Sequence, residues 1–260
     1  MADDDVLLEV RGVSKSFGGV HAVNDCSFVV RRGSLTGLIG PNGAGKSTTV
    51  ELISGFQAAD SGKIVFDGKE IQRLPAHAVS RLGLIRTFQT PREWKHLTTL
   101  ENVLIAAPDH SRERLWRSLF ARRGLAAAEA ADRARARDLL EEFGLFNVRN
   151  ELAGNLSGGQ KRLLEFARIA MARPRMVLLD EPQSGVNPVL GERMGDAIKA
   201  MVADGITVLM VEHHLNFVER VCDIVHVMSL GQCIATGTMA ELRMDTTVID
   251  AYLGQAEVRV

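Results

Sequence analysis

The stretch Ser34-Leu35-Thr36-Gly37-Leu38-Ile39-Gly40-Pro41-Asn42-Gly43-Ala44-Gly45-Lys46-Ser47-Thr48 carries the architecture of the chain. Residues 34–39 are a short apolar run ending at glycine, as a buried strand does. Residues 40–48 fit G-x-x-x-x-G-K-[ST], and an apolar-periodic segment over 46–53 follows, closed by Gly55. Strand, glycine-rich loop and helix in that order make a phosphate cradle. Glycines let successive N–H groups curl around phosphate oxygens without Cβ clashes. The helix behind them turns its N-terminal N–H groups and positive dipole end on the same anion. Lys46 reaches the β- and γ-phosphates as a mobile charge, and the Ser47 hydroxyl is a ligand for Mg²⁺.

Downstream, Met176-Val177-Leu178-Leu179-Asp180-Glu181 places two adjacent acids after four apolar residues. Ligands bind at the carboxyl ends of strands in parallel sheets, which is where this pair falls. Asp180 is positioned to hold Mg²⁺ through its water shell. Glu181 points toward the γ-phosphate and is the candidate general base for an attacking water.

Working outward, residues 7–10 and 21–30 alternate apolar and polar side chains around Gly18-Gly19, which predicts antiparallel strands. A strand over 63–66 ends at Asp67-Gly68, a favoured hairpin pair. Residues 125–143 predict a helix, rich in Ala, Arg and Glu with almost no β-branched side chains. Beyond Gly158, helices (160–171, 189–203, 215–221) alternate with strands (176–179, 206–211, 224–228), the pattern of parallel βαβ units. An α/β body is therefore interrupted by a helical insert. The expected division is 1–89 and 161–260 for the α/β body and 90–160 for the insert.

Composition excludes several classes. The 260 residues are 46% hydrophobic and 24% charged, ordinary for a globular protein. Lys+Arg 31 against Asp+Glu 32 gives a net charge of −1, so no electrostatic case exists for nucleic-acid binding. Apolar runs such as 206–211 fall far short of the roughly 20 residues that span a bilayer. Met1-Ala2-Asp3-Asp4-Asp5 is acidic where a secretory signal is basic. Three cysteines (Cys26, Cys222, Cys233) form no C-x-x-C pair and are odd in number, which argues against a disulfide framework. A cytoplasmic chain is expected.

At Leu156-Ser157-Gly158-Gly159-Gln160 the sequence resembles the ATP-binding cassette (ABC) ATPases, whose signature this is. By itself Ser-Gly-Gly-Gln is a loop capping a helix, with Ser157 a good N-cap. The resemblance implies an ABC-cassette fold of the P-loop NTPase type: a mostly parallel core sheet, an antiparallel β subdomain and a helical subdomain. It further implies that the signature loop completes the ATP site of a second ATPase subunit, so that two ATPs are sandwiched head to tail. Gln89, in Arg86-Thr87-Phe88-Gln89, resembles the glutamine that senses Mg²⁺ and the γ-phosphate and joins the lobes. His213 matches the family's switch histidine beside the γ-phosphate and attacking water; the adjacent His214 is expected to face away and receives no role. Phe17 stands where the family stacks an aromatic on adenine, with a core position the alternative. In Ser184-Gly185-Val186-Asn187-Pro188, the loop coupling the two ATP sites, Asn187 replaces the family's usual Asp, which puts their communication in doubt.

Gly185-Val186-Asn187-Pro188, Arg86-Thr87-Phe88-Gln89 and Thr247-Val248-Ile249-Asp250-Ala251-Tyr252-Leu253-Gly254 look like the subfamily serving branched-chain amino acid importers, with urea and amide importers close by. The implied function is a Mg-dependent ATPase driving such an importer, with ATP and Mg²⁺ bound. Its partners would be transmembrane permease subunits, a second ATPase copy or relative and, indirectly, an extracytoplasmic solute-binding protein. The implied location is the cytoplasmic face of the membrane. Alternatives are an exporter or lipid-transport ATPase, a soluble clamp on nucleic acid or ribosome, and a regulatory module without turnover. The clamp is opposed by balanced charge and the lack of a long coiled-coil insert, and the regulatory module by the presence of Glu181 and His213. Trp94, Leu97 and Leu100 lie where the family receives a permease helix, or they pack within the insert. Residues 112–123 read as an amphipathic helix with Leu115, Trp116, Leu119 and Phe120 on one face. That face meets either the helical lobe or a partner and lipid headgroups.

Overall fold

The computed structural model describes residues 5–87, 93–108 and 122–253. They form two compact units, one of 1–89, 175–185 and 199–260 and one of 90–174 and 186–198.

The first unit holds two sheets. Strands β1 (Val6–Phe17), β2 (Val20–Arg31), β4 (Ser61–Phe66) and β5 (Lys69–Glu70) make an antiparallel sheet in the order β2-β1-β4-β5. The strands read at 7–10 and 21–30 extend to twelve residues each in β1 and β2, with register shifts interrupting their alternation. Asp67-Gly68 closes the β4–β5 hairpin, both residues having positive φ. The second sheet has the order β10-β9-β3-β8-β7-β6, formed by β10 (Gln232–Gly237), β9 (Ile224–Ser229), β3 (Leu35–Ile39), β8 (Thr207–Val211), β7 (Met176–Asp180) and β6 (Leu84–Arg86). All its pairings are parallel except the β9–β10 hairpin. Strands β3 and β8 are buried at every residue, and β7 at all but Asp180, as expected of parallel strands covered on both faces.

Register positions the site. Leu38 pairs with Val211 and Val211 with Asp180, so β3, β8 and β7 end level with one another. The glycine loop, the acidic turn and the segment holding His213 leave the same edge of three adjacent strands.

Buried His226 of β9 ties the two sheets together. Its Nε2 lies 2.9 Å from the carbonyl of Val29 and so carries the proton it donates there, which leaves Nδ1 to accept from Thr236 Oγ1 at 2.8 Å. Burial holds its pKa below the ordinary value of 6.5. Below that pH the unfolded chain takes up a proton that the fold resists. The linked stability is therefore complete at neutral pH and is lost as pH falls, by at most about 1.4 kcal/mol per pH unit. Denaturant titrations from pH 7.5 to 5 are expected to show that slope in the wild type and a shallower one in His226→Gln.

In the second unit the helices Thr99–Leu104, Arg122–Glu142 and Gly158–Ala172 pack on one another. They bury Val103, Leu139, Leu140, Leu164 and Phe166. This unit differs from an insert ending at 160, because the Gly158–Ala172 helix continues unbroken and residues 186–198 group with it. Thr98 opens the Thr99–Leu104 helix with a capping box to Glu101. Asn102, fully buried, accepts from the Trp94 N–H and donates to the carbonyls of Trp94, Leu97 and Thr98. Elements missing from the sequence reading are the Ala76–Arg81, Thr99–Leu104, Met239–Leu242 and Thr246–Leu253 helices and the strands β5, β6 and β10. The 112–121 part of the amphipathic segment lies outside the described residues.

Candidate nucleotide site

The loop after β3 has the conformation its glycines dictate. Gly40 has φ +149°, and a Cβ there would lie 2.1 Å from the carbonyl oxygen of Met228. Gly45 has φ +97°, and a Cβ would lie 2.3 Å from the carbonyl oxygen of Ala22. Either side chain would collide with backbone. The β9–β10 turn supports the loop further, since the N–H of Gly231 donates to Ala44 at 3.0 Å. The Lys46–Ile53 helix starts at Gly45 without a side-chain cap, leaving its first N–H groups to other partners. Lys46 Nζ donates to the carbonyls of Gly40 and Pro41 at 2.7 and 2.9 Å. Burial lowers the pKa of this ammonium, while Glu181 and Asp180 oppose the shift, so both acids lie within electrostatic reach of it. Ser47 is exposed beside it.

At the end of β7, Asp180 Oδ2 is held by Arg86 Nη2 at 2.9 Å, with both side chains largely buried. Arg86 also lies over the Phe56 ring at 5.5 Å. Glu181 adopts φ +45°, a left-handed conformation seldom seen outside glycine. Its N–H donates to Val211 at 2.9 Å, and its carbonyl accepts from Ser184 at 3.1 Å. These bonds fix a sharp turn that lifts the carboxylate off the strand. Its Oε1 lies 3.8 Å from Nδ1 of His213. The oxygen-only donors Ser47 and Asp180 suit a hard cation such as Mg²⁺.

His214 does not face away from its neighbour. The two imidazoles lie 4.1 Å apart, and His214 Nδ1 is 3.2 Å from Glu212. The helix starting at Leu215 takes His214 as its first flanking residue, which turns the ring back over the strand end. Gln89 lies outside the described residues, as does Gly254. Phe17 is 44% exposed at the end of β1, which sets aside a core position.

The signature residues lie in the second unit. Leu156 is buried, and Ser157 caps the Gly158–Ala172 helix in a capping box with Gln160. The Ser157 N–H donates to Gln160 Oε1 at 2.9 Å, and the Gln160 N–H donates to Ser157 Oγ at 3.3 Å. Ser157, Gln160, Asn187, Val189 and Arg193 line one open groove, which brings the signature and the coupling loop together. Asn187 Oδ1 accepts from the N–H of Leu190 at 2.9 Å and so caps the Pro188–Ala203 helix. An aspartate would cap equally well, so the substitution keeps the local fold and removes a charge.

Two residues escaped the sequence reading. Glu212 is fully buried beneath the histidines, and Arg86 holds Asp180. Arg86 stands inside the Arg86-Thr87-Phe88-Gln89 motif, three positions ahead of Gln89. The only signal for Glu212 was an acid directly after an apolar strand, in a position like that of Glu181.

Comparison with known proteins agrees with this geometry. The ABC transporter family matches residues 23–184. The chain is 39% identical over 254 residues to a probable branched-chain amino acid transport ATP-binding protein, LivG, of Archaeoglobus fulgidus, covering 98% of each. It is 39% identical over 255 residues to the high-affinity branched-chain amino acid transport ATP-binding protein BraF of Pseudomonas aeruginosa, covering 96% of this chain and 98% of that one. A crystal structure of the ADP conformation of an ATP-binding cassette of an ABC transporter superposes with a TM-score of 0.79 at 34% identity, covering 96% of this chain and 99% of that one. A nucleotide-free cassette gives 0.77 at 34% identity, covering 95% and 98%. On its motifs, its fold and these relatives, the chain belongs to the ABC transporter family, as one of its ATP-binding, ATP-hydrolysing subunits.

Proposed function

We propose that the chain powers import of branched-chain amino acids or similar small polar solutes through a membrane permease. The reading is supported by the 39% identity over nearly full length to branched-chain amino acid transport ATP-binding proteins. Among the described residues no helix is long and apolar enough to cross a membrane. The translocation path therefore belongs to permease subunits, and this chain sits against them at the cytoplasmic face. Trp94, 56% exposed and anchored through its backbone by Asn102, offers an aromatic contact to the permease.

In this reading the amides of residues 42–46 and the Lys46 ammonium cradle the β- and γ-phosphates, and Phe17 stacks on the adenine. Ser47, Asp180 and Gln89 are the residues that would hold Mg²⁺, which when bound neutralises phosphate charge. Arg86, paired with it at 2.9 Å, orients the Asp180 carboxylate. The Glu181 carboxylate takes a proton from the attacking water, and His213 orients that water and the γ-phosphate from the neighbouring strand end. The donors around Leu156-Ser157-Gly158-Gly159-Gln160 cover the ATP of a second ATPase subunit, with Ser184-Gly185-Val186-Asn187 carrying the state of one site to the other. Binding closes the pair and hydrolysis releases it, a two-state equilibrium biased by ligand.

The test is transport by the reconstituted complex of this chain, its permease and its solute-binding protein. Uptake of labelled leucine dependent on ATP is expected. Hydrolysis without uptake of any branched-chain amino acid would overturn the solute assignment, and ATP-driven efflux would overturn the importer assignment.

A further inference from the structure

One buried acid lies at the edge of the site without a part in the roles above. The Glu212 side chain is fully buried. Its Oε1 accepts the N–H of Gln183 at 2.9 Å. Its Oε2 accepts the N–H groups of His213 at 3.0 Å and His214 at 3.3 Å, and lies 3.2 Å from His214 Nδ1. Gln183 belongs to the turn after β7 and the histidines to the turn after β8. A single carboxylate thus bonds two loops that share no covalent link nearby.

An ionised acid is costly to bury, and core packing alone is served better by an apolar side chain. The particular value of a carboxylate here is acceptor capacity: it has two oxygens and no proton, and it faces three main-chain donors. Glutamine would turn an NH₂ group toward one set of those donors. Aspartate, one methylene shorter, would not span both loops. The loops held are those presenting Glu181 and His213, whose side-chain atoms stand 3.8 Å apart.

We propose that Glu212 is a positioning residue for ATP hydrolysis: its carboxylate clamps the turn that carries Glu181 to the turn that carries His213, so that both meet the same water. The clamp rests on the roles given to Glu181 and His213 above. It acts on the chemical step and leaves nucleotide affinity alone, because none of the bonds of this carboxylate goes to the glycine loop.

The test compares full-length wild type, Glu212→Gln, Glu212→Asp and His214→Ala in steady-state ATP hydrolysis with Mg²⁺ and in equilibrium binding of a fluorescent N-methylanthraniloyl ATP. Since misplacement of about 1 Å can cost on the order of 100-fold, kcat is expected to fall by roughly 30-fold in Glu212→Gln and by about tenfold in Glu212→Asp. Affinity for the analogue is expected to stay within about threefold of wild type. His214→Ala, which keeps the main-chain bonds, is expected to retain kcat within about threefold. A folded Glu212 variant with wild-type kcat overturns the clamp, as does a parallel loss of kcat and affinity. A loss in His214→Ala equal to that in Glu212→Gln also overturns it, by assigning the effect to the imidazole. If Glu212→Gln does not fold, Glu212→Asp decides by the same criteria. Failure of the wild type itself to hydrolyse ATP would instead bring down the reading of the site, and so the two failures are distinct.

Discussion

Replacing Glu181 with glutamine is expected to lower ATP turnover by roughly 10²- to 10⁴-fold, the range associated with removing a general base, while ATP remains bound. The structure explains why the loss falls on chemistry alone. Glutamine has nearly the same shape, and the turn at φ +45° is held by main-chain bonds to Val211 and Ser184 that the substitution leaves untouched. The phosphate cradle is built from the loop after β3 and takes no part of its geometry from the Glu181 side chain. What disappears is the proposed proton acceptor, whose Oε1 lies 3.8 Å from Nδ1 of His213. Phosphate-release assays alongside equilibrium nucleotide binding check the prediction. Turnover within tenfold of wild type would mean that another group takes the proton.

Lys46→Ala is expected to act on the other parameter. The lysine is 8% exposed, and its ammonium bonds to Gly40 and Pro41 across the mouth of the loop. Hydrogen bonds to a charged group contribute about 1.5–3 kcal/mol, which predicts ATP binding weaker by roughly 10- to 150-fold. Folding is expected to change little, because the variant loses two hydrogen bonds and also the cost of burying a cation. Titration with the fluorescent ATP analogue measures the loss. Unchanged affinity would remove Lys46 from the phosphate site.

Much of this was legible in the sequence because its signals are local. The cradle is a strand, loop and helix contiguous over 34–53, and Gly40 and Gly45 each answer to a steric fact at their own position. The acidic pair and the signature are likewise continuous runs. What escaped depends on register. Glu212 becomes meaningful only once Asp180 is known to pair with Val211, which sets the two strand ends level. Arg86 acquires its role only when β6 is laid parallel to β7 and its side chain meets Asp180. The orientation of His214 is likewise not readable from its adjacency to His213. Strand β8 ends at Val211, so the alternation of a strand does not set the directions of the two rings beyond it. The expected insert boundary at 160 falls inside the Gly158–Ala172 helix, because a signature motif marks the start of a helix and not the end of a unit. Strand β6 has only three residues, too few to show a period of two, and β10, though six residues long, is exposed or half-buried throughout and so shows no apolar alternation.

The most direct measurement of the central claim is the mass of the Glu181→Gln chain by sedimentation, with and without ATP and Mg²⁺, alone and with a co-expressed partner ATPase subunit. The glycine loop of one subunit and the signature of another are assigned to the same triphosphate. ATP should therefore drive the chain into a stable pair retaining two nucleotides, and its removal should return the chain to single subunits. A chain that binds ATP yet stays single under every one of these conditions would contradict the account.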